Sequence, residues 1–323
     1  MCGIYGMISL TEHPLKRADL LARMGTSLRH RGPDHSGALR STHAAIGVER
    51  LNIIDHRPEA NQPFSNPSQS AWFACNGEIY NATALRKRFP LYAFRSRCDV
   101  EALVPLFDTH GVSGLDEVDG MFALALWHEP TRSLTLARDR AGEKPLFYMN
   151  VEGELWFASE IQALLQHPKL CRELNHAALY EYLTFGYVRE PHTLFQNVCK
   201  VPAGTTITFR CAATARTREI AVPEVPAPRT MTDASRQLRD LLVHAVEKQM
   251  AADVPIGVFT SGGIDSAFIA AAATKSSACP IHTFTAAFVN PQYDEGVHAR
   301  RLSRDLSTRH VEIRIDEPLL KEA

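Results

Sequence analysis

Cysteine stands second in the chain, in Met1-Cys2-Gly3. Removal of Met1 would leave Cys2 with a thiol and a free α-amine on one residue. A cysteine thiol titrates near ~8.5 and an α-amine near ~7.7–8.0, so the amine can take the thiol proton close to neutral pH. Nucleophile and base would then share a residue, the logic of N-terminal-nucleophile catalysis. Such chemistry needs donors for a developing oxyanion, and Asn76-Gly77 offers a side-chain amide and a backbone N–H. Asn-Gly is equally the commonest two-residue hairpin turn, so both readings stand at this point. A second stretch, Thr260-Ser261-Gly262-Gly263-Ile264-Asp265-Ser266, lies between an apolar run and a helical one. Backbone N–H groups at a strand–turn–helix junction face outward with the helix N-terminus, which suits a phosphate. Gly262 and Gly263 let the backbone approach, Ser261 and Ser266 add hydroxyls, and the lack of a following Lys excludes the G-x-x-x-x-G-K-[ST] loop.

The composition limits the setting. A chain of 323 residues holds about two domains of ordinary size. With 45% hydrophobic and 22% charged residues and a net charge of −1, it carries no broad footprint for nucleic acid or membrane. Seven cysteines are dispersed without a C-x-x-C pair, which fits a reducing compartment and offers no zinc framework. The fourteen histidines form no H-E-x-x-H, so no metal site is expected among them. Apolar runs fall short of the ~20 residues a membrane helix needs, and no basic region precedes the first of them. A cytoplasmic protein is predicted.

Elements must position these groups. Residues 4–10 read as a strand holding Cys2 against a sheet edge, and 15–28 as an amphipathic helix. Strands are predicted over 44–48 and 51–54 with Arg50 between them, and over 71–75, ending in Asn76-Gly77-Glu78. Helices follow over 82–88 and 99–110, the second capped by Asp99. Antiparallel strands are predicted over 121–127, 133–137, 145–149 and 155–158. Ser159 is expected to cap a helix running to Leu165, with a further helix over 177–185 and a strand over 205–209. Beyond 211 come Ala, Thr, Arg and prolines with little periodicity. A first domain over 2–210, a linker over 211–231 and a second domain over 232–323 are therefore expected. In the last of these, helices over 232–250, 267–273 and 295–306 alternate with strands over 254–259, 281–288 and 310–315. That order implies a parallel sheet with crossover helices.

Ten pieces in order carry a resemblance over essentially the whole length: MCGIYG (1–6), RHRGPD (29–34), RLNIID (50–55), NGEIYN (76–81), CDVEAL (98–103), DGMFALALW (119–127), RDRAGEKPLFY (138–148), FASEIQALL (157–165), YLTFGYV (182–188) and SGGIDS (261–266). The chain resembles the glutamine-hydrolysing asparagine synthetase family. The resemblance implies an α+β N-terminal-nucleophile hydrolase, a four-layer αββα sandwich, followed by a partial α/β parallel-sheet ATP-pyrophosphatase domain. It makes Cys2 the nucleophile that converts the glutamine side-chain amide to a γ-glutamyl thioester and ammonia, with Asn76 and Gly77 as oxyanion donors. Arg50 would pair with the glutamine α-carboxylate, Glu78 and Asp99 with its α-ammonium, and backbone groups of Leu51, Asn52, Ile53 and Ile54 would line the pocket. A zwitterion needs such a cation and carboxylates placed apart.

By the same resemblance Ser261, Gly262, Gly263, Ile264, Asp265 and Ser266 form a pyrophosphate loop, with Thr260 and Ala286 near the adenine nucleotide. ATP and Mg²⁺ would activate the β-carboxylate of aspartate as an acyl-adenylate, and ammonia arriving through an internal channel would displace AMP. Mg²⁺ would sit chiefly on the phosphates, with Asp265 the nearest carboxylate. The expected partners are glutamine, ATP and aspartate, and the resemblance allows a homodimer. Cys98, Ala141, Glu143 and Thr260 depart from the family's usual residues. The family's acidic, Gly-rich C-terminal segment does not occur in the sequence, so a C-terminally truncated copy is expected. Amide formation on another acceptor and glutamine hydrolysis alone are the alternatives.

Overall fold

The computed structural model describes all residues except 10–12, 211–213, 291–293 and 316–323, and divides into two units, Met1–Pro223 and Glu224–Ala323. Leu10 and Cys211 thus lie outside the described residues.

The first unit stacks two antiparallel sheets. One contains β1 (Gly3–Ile8), β2 (His35–Arg40), β3 (Ala44–Arg50), β8 (Phe147–Val151), β9 (Glu154–Ala158) and β10 (Cys199–Lys200), in the order β10-β8-β9-β1-β3-β2. The other contains β4 (Phe64–Ser65), β5 (Ala71–Ile79), β6 (Gly120–His128), β7 (Ser133–Arg138), β11 (Thr205–Arg210) and β12 (Thr214–Glu219), in the order β12-β11-β7-β6-β5-β4. Between the sheets, Ile4, Ile8, Ile46 and Val48 meet Ala74, Ala123, Trp127, Leu134 and Leu136. The outer face of the first sheet, through Tyr5, Met7 and Trp156, packs on Leu20, Leu21, Met24 and Leu28 of α1 (Ala18–Leu28) and on Leu164 of α4 (Ile161–Leu164). The outer face of the second, through Phe73, Phe122 and Leu124, packs on Leu85 of α2 (Ala82–Arg88) and on Leu103, Val104 and Leu106 of α3 (Leu103–His110). The layers are helix, sheet, sheet, helix. Strands buried on both faces read as continuous apolar runs, which is why DGMFALALW shows no alternation. One further helix, α5 (His176–Phe185), ends at Gly186.

Several expectations are corrected. β1 is no edge: β3 and β9 pair with it on either side, so the strand that follows Cys2 is held from both. Asn76-Gly77 is not a turn, because β5 runs to Ile79 with Asn76 opposite Ala123 and Gly77 opposite Phe122. Residues 51–54 are not a strand; the chain leaves the sheet after Arg50 and curls back on the Arg50 side chain. Asp99 opens a 3-10 turn (Asp99–Ala102) before α3, and its carboxylate binds a strand N–H elsewhere instead of capping. Ser159 does not cap α4; its Oγ accepts the Ile4 N–H at 2.9 Å and so fixes β1. The stretch expected as linker supplies β12, paired along the whole of β11. Its polar sequence is that of a solvated edge strand, which hides it from a hydrophobic pattern.

The second unit has a parallel sheet, β13 (Gly257–Phe259), β14 (His282–Phe288) and β15 (Arg309–Ile315), in that order. Helices α6 (Met231–Gln249), α7 (Ile264–Ser276) and α8 (Gly296–Leu306) connect it. β13 is shorter, and α7 longer at both ends, than the sequence pattern predicts. Apolar side chains stay exposed here, with Phe259 at 80% and Val311 and Ile313 on β15. Among the described residues no helix is long and apolar enough to cross a membrane.

Phe157 is fully buried on β9, whereas Phe259 is mostly solvated. Phe157→Ala is expected to destabilise the first unit by about 3–5 kcal/mol, and Phe259→Ala to stay within about 0.5 kcal/mol of the parent. Urea unfolding of the two variants checks the contrast.

Candidate active site

Alternation along the strands sets the site. Cys2, just ahead of β1, continues the Ile4 side, on β3 Arg50 continues the Val48 side, and on β5 Asn76 and Glu78 continue the Ala74 side. Since residues i and i+2 share a face, all four point into the layer between the sheets, at one end of it.

Cys2 is partly exposed and a free thiol. Its Sγ accepts the Leu51 N–H at 3.4 Å and lies 3.8 Å from the Leu51 carbonyl. Its own carbonyl accepts from Arg31 Nε at 3.0 Å, and Arg31 pairs with Glu160 at 2.6 Å. Burial pushes the thiol's pKa up, with the Leu51 N–H, the terminal amine and Arg50 opposing. With Met1 present the Cys2 nitrogen is a peptide N–H, and the terminal amine belongs to Met1.

The buried Asn76 amide has no hydrogen-bond partner on either atom. Beside it the backbone is equally telling. Cys75 N–H is taken by Gln62 Oε1 at 2.7 Å and Ile79 N–H by Asp99 Oδ2 at 2.5 Å, so odd-numbered N–H groups of β5 point away from β6. Gly77 is opposite Phe122, whose N–H goes to Asp139 Oδ2 at 3.1 Å, so the Gly77 N–H points to the same open edge. A Cβ at Gly77 would collide with the Met121 carbonyl, which requires glycine there. Asn76 and Gly77 thus present two uncommitted donors side by side.

Charge is laid out on either side. Arg50 is buried, with Nη1 on Asn61 Oδ1 at 3.0 Å and Nη2 on the carbonyls of Ile54 and Asp55 at 2.9 and 2.8 Å. It has no carboxylate partner among the described residues, which is unusual for a buried cation. Glu78 is half-buried; burial and then the Asp99 charge push its pKa up, while Lys144 opposes. Burial likewise pushes Asp99 up, against its bond to the Ile79 N–H. Neither carboxylate has a cation in an ion pair among the described residues, an arrangement that favours an incoming ammonium. Leu51 and Ile54 touch Cys2 and Arg50 through their backbones, Asn52 N–H is held by Asp34 Oδ2 at 2.8 Å, and Ile53 is half-buried between them. Cys98 donates to Asp99 Oδ1 at 3.6 Å, so this departure from the family's usual serine keeps a donor beside the carboxylate. Arg31 and Lys144 were not among the expected site residues; both lie in matched pieces, but nothing in their type or spacing marks a role.

The phosphate-loop candidates sit in the second unit. Ser261 Oγ and Ser266 Oγ are 3.2 Å apart, and Ser266 Oγ also accepts the Ser261 N–H at 3.2 Å. Gly262 has φ +79°, and the first turn of α8, at His298 and Ala299, packs against it. Gly263 precedes α7 with no side-chain cap on that helix, while Ile264 and Asp265 form its first turn. The loop's backbone therefore suits an anion. Thr260 is buried; its Oγ1 is 2.9 Å from Thr285 Oγ1, so its hydroxyl serves the sheet and not the loop. Ala286 follows Thr285 on β14 and faces the opposite, exposed side. Among the described residues no cluster of three His, Cys, Asp or Glu could hold a metal ion.

Residues 1–219 match the family model described as glutamine amidotransferase domain. The chain belongs to the glutamine amidotransferase family. Beyond this amidotransferase domain, residues 237–322 match the model for asparagine synthase. Similar proteins include asparagine synthetase [glutamine-hydrolyzing] 1 of Bacillus subtilis, 33% identical over 91% of this chain and 47% of that protein. Asparagine synthetase [glutamine-hydrolyzing] 2 of Arabidopsis thaliana is 30% identical over 97% of this chain and 50% of that protein. The amidotransferase chain thus spans about half the length of these relatives. Among solved structures, glutamine phosphoribosylpyrophosphate amidotransferase of B. subtilis shares the fold, with TM-score 0.50 at 15% identity over 97% of this chain and 81% of that one. The four-layer N-terminal-nucleophile sandwich is the amidotransferase architecture.

Because burial raises the Cys2 pKa, the thiol should stay protonated at neutral pH while Met1 is in place. Iodoacetamide is then expected to alkylate Cys2 more slowly than a free cysteine at pH 7.5, with the rate climbing above pH 9. Removal of Met1 should accelerate it at pH 7.5, as peptide mapping would report.

Proposed function

We propose that the first unit hydrolyses glutamine at Cys2 and that the second uses the ammonia to form an amide on an ATP-activated carboxylate, with aspartate as the acceptor and asparagine as the product. The unpartnered pair of donors at Asn76 and Gly77 carries this reading. Once Met1 is removed, the Cys2 α-amine takes the thiol proton and the thiolate adds to the amide carbon. The oxyanion falls to Asn76 Nδ2 and the Gly77 N–H. Collapse expels ammonia, which receives the proton, and leaves a γ-glutamyl thioester that water opens to glutamate. Arg50 holds the α-carboxylate, Glu78 and Asp99 hold the α-ammonium, and the backbone of residues 51–54 closes the pocket.

In the second unit, Ser261 to Ser266 would cradle the ATP phosphates at the start of α7, with Ala286 and Thr260 on the nucleotide side. Mg²⁺ would offset the phosphate charge, with Asp265 the carboxylate in the loop. The synthetase unit supplies acyl-adenylate chemistry when ATP is bound; the chain's own contribution is to orient the phosphates. The six described cysteines are all free thiols, which supports a cytoplasmic setting.

Purified chain with Met1 removed is expected to release glutamate from glutamine, and Cys2→Ala to stop it; continued release would sink the assignment. Asn76→Ala should lower kcat by about 10²–10³-fold with little change in KM. Its stability should hold, because the amide makes no hydrogen bond to lose. Pyrophosphate released from ATP only with aspartate present would support the acceptor, and release with another carboxylate would reassign it.

A further inference from the structure

β5 meets β4 only near its start. Phe64 stands opposite Phe73 and Ser65 opposite Trp72, and the pairing ends there. The same register carried two residues back would set Gln62 opposite Cys75, and two more would set Ala60 opposite Gly77. A β4 of that length would bond the Gly77 N–H and leave it unable to serve an oxyanion. The main chain takes another course. The Gln62 carbonyl lies against Gly37 of β2, where a Cβ would collide with it, and residues 58–60 form a 3-10 turn. The Gln62 side chain takes the strand's place. Its Oε1 accepts the Cys75 N–H at 2.7 Å, and its Nε2 donates to the Cys75 carbonyl at 3.2 Å. One buried carboxamide thus closes both backbone groups that a continued strand would have closed. Farther along the same edge, Asp99 Oδ2 takes the Ile79 N–H at 2.5 Å. Between these two clamps the Gly77 N–H makes no hydrogen bond among the described residues.

We propose, resting on the reading of Asn76 and Gly77 as the oxyanion donors, that Gln62 is a positioning residue: its side chain ends the β4–β5 ladder one pair short of Gly77 and so holds that N–H open and in place. The task calls for a donor and an acceptor on one uncharged planar group, which only Asn and Gln carry. Methionine would fill a similar volume but leave the Cys75 N–H and carbonyl unpaired in a buried edge. The strand just ahead of Asn76 would then lose its outer clamp, and both donors would shift with it. The Gln62 side chain bonds to no group assigned to the glutamine zwitterion. Its loss is therefore felt where the oxyanion develops and not in binding of the ground state.

The test compares kcat and KM for glutamine, and the Ki of glutamate as a competing ligand, in the parent and Q62M. Each has Met1 removed, as verified by mass, and rates are taken per folded molecule. Q62M should lose kcat by about 10²-fold, with KM and Ki within about threefold of the parent. A folded Q62M with the parent's kcat overturns the proposal, even where its urea midpoint falls, because a purely structural role gives that. Comparable losses in kcat and in both affinities also overturn it, since they report a distorted pocket. If Q62M fails to fold, amide hydrogen exchange in the parent decides. A Gly77 N–H that exchanges at least about tenfold faster than those of Cys75 and Ile79 supports the proposal, and equal protection overturns it. A parent that releases no glutamate with Cys2 at its terminus overturns the nucleophile reading and this role with it, a result distinct from an unchanged kcat in Q62M.

Discussion

A β-strand sends successive side chains to opposite faces, and in the first unit β1, β3 and β7 are buried on both faces. Register is then fixed with little latitude, because a one-residue slip would exchange the Ile4 side of β1 for the Tyr5 side and place each in the wrong layer. The site inherits this constraint. Arg50, Asn76 and Glu78 belong to strands of two sheets and Cys2 immediately precedes a third strand, yet each is the polar continuation of a row whose apolar members form the inter-sheet core. The core therefore does more than stabilise: it aims the site. The Ser159 hydroxyl on the Ile4 N–H extends the same control to the last residues before the terminus.

The site holds its polar groups at a cost to the fold. Arg50 is buried on neutral oxygens, Glu78 and Asp99 have raised affinities for protons, and Asn76 leaves both amide atoms without a partner. Each would be better satisfied by water or by a counter-charge; Arg50, Asn76 and Glu78 lie at the same end of one layer, and Asp99 reaches the edge of β5 at Ile79. In the proposed reaction their common remedy is the substrate, a small zwitterion bearing a carbonyl.

Much of this was legible in the sequence, for a physical reason. Groups that do chemistry must be of a given type, so Cys2, Asn76-Gly77 and the 261–266 turn could be read without coordinates. The positions of elements were less legible wherever tertiary contacts overrode local preference. Asn76-Gly77 has strong turn propensity but is held straight by β6, and Asp99 has a capping residue's position but is claimed by the Ile79 N–H. β12 escaped notice because an edge strand of Thr and Arg carries no apolar alternation. The pairing of Thr260 with Thr285 could not be foreseen either, since it joins residues on adjacent strands through a parallel register that only the sheet defines.

Arg50 and Leu51 are neighbours in the chain, yet in the proposed reaction one takes the far end of the substrate while the other holds the thiol. The guanidinium is caged by the carbonyls of residues 54 and 55, while the Leu51 N–H rests on Cys2 Sγ. A single short arch therefore joins the Arg50 guanidinium to the Cys2 sulfur. In the proposed reaction, binding energy gained at the far end of glutamine is delivered through this arch to the reacting atom. An amide shorn of its α-carboxylate would forfeit turnover as well as affinity, because remote contacts are what set the attack geometry.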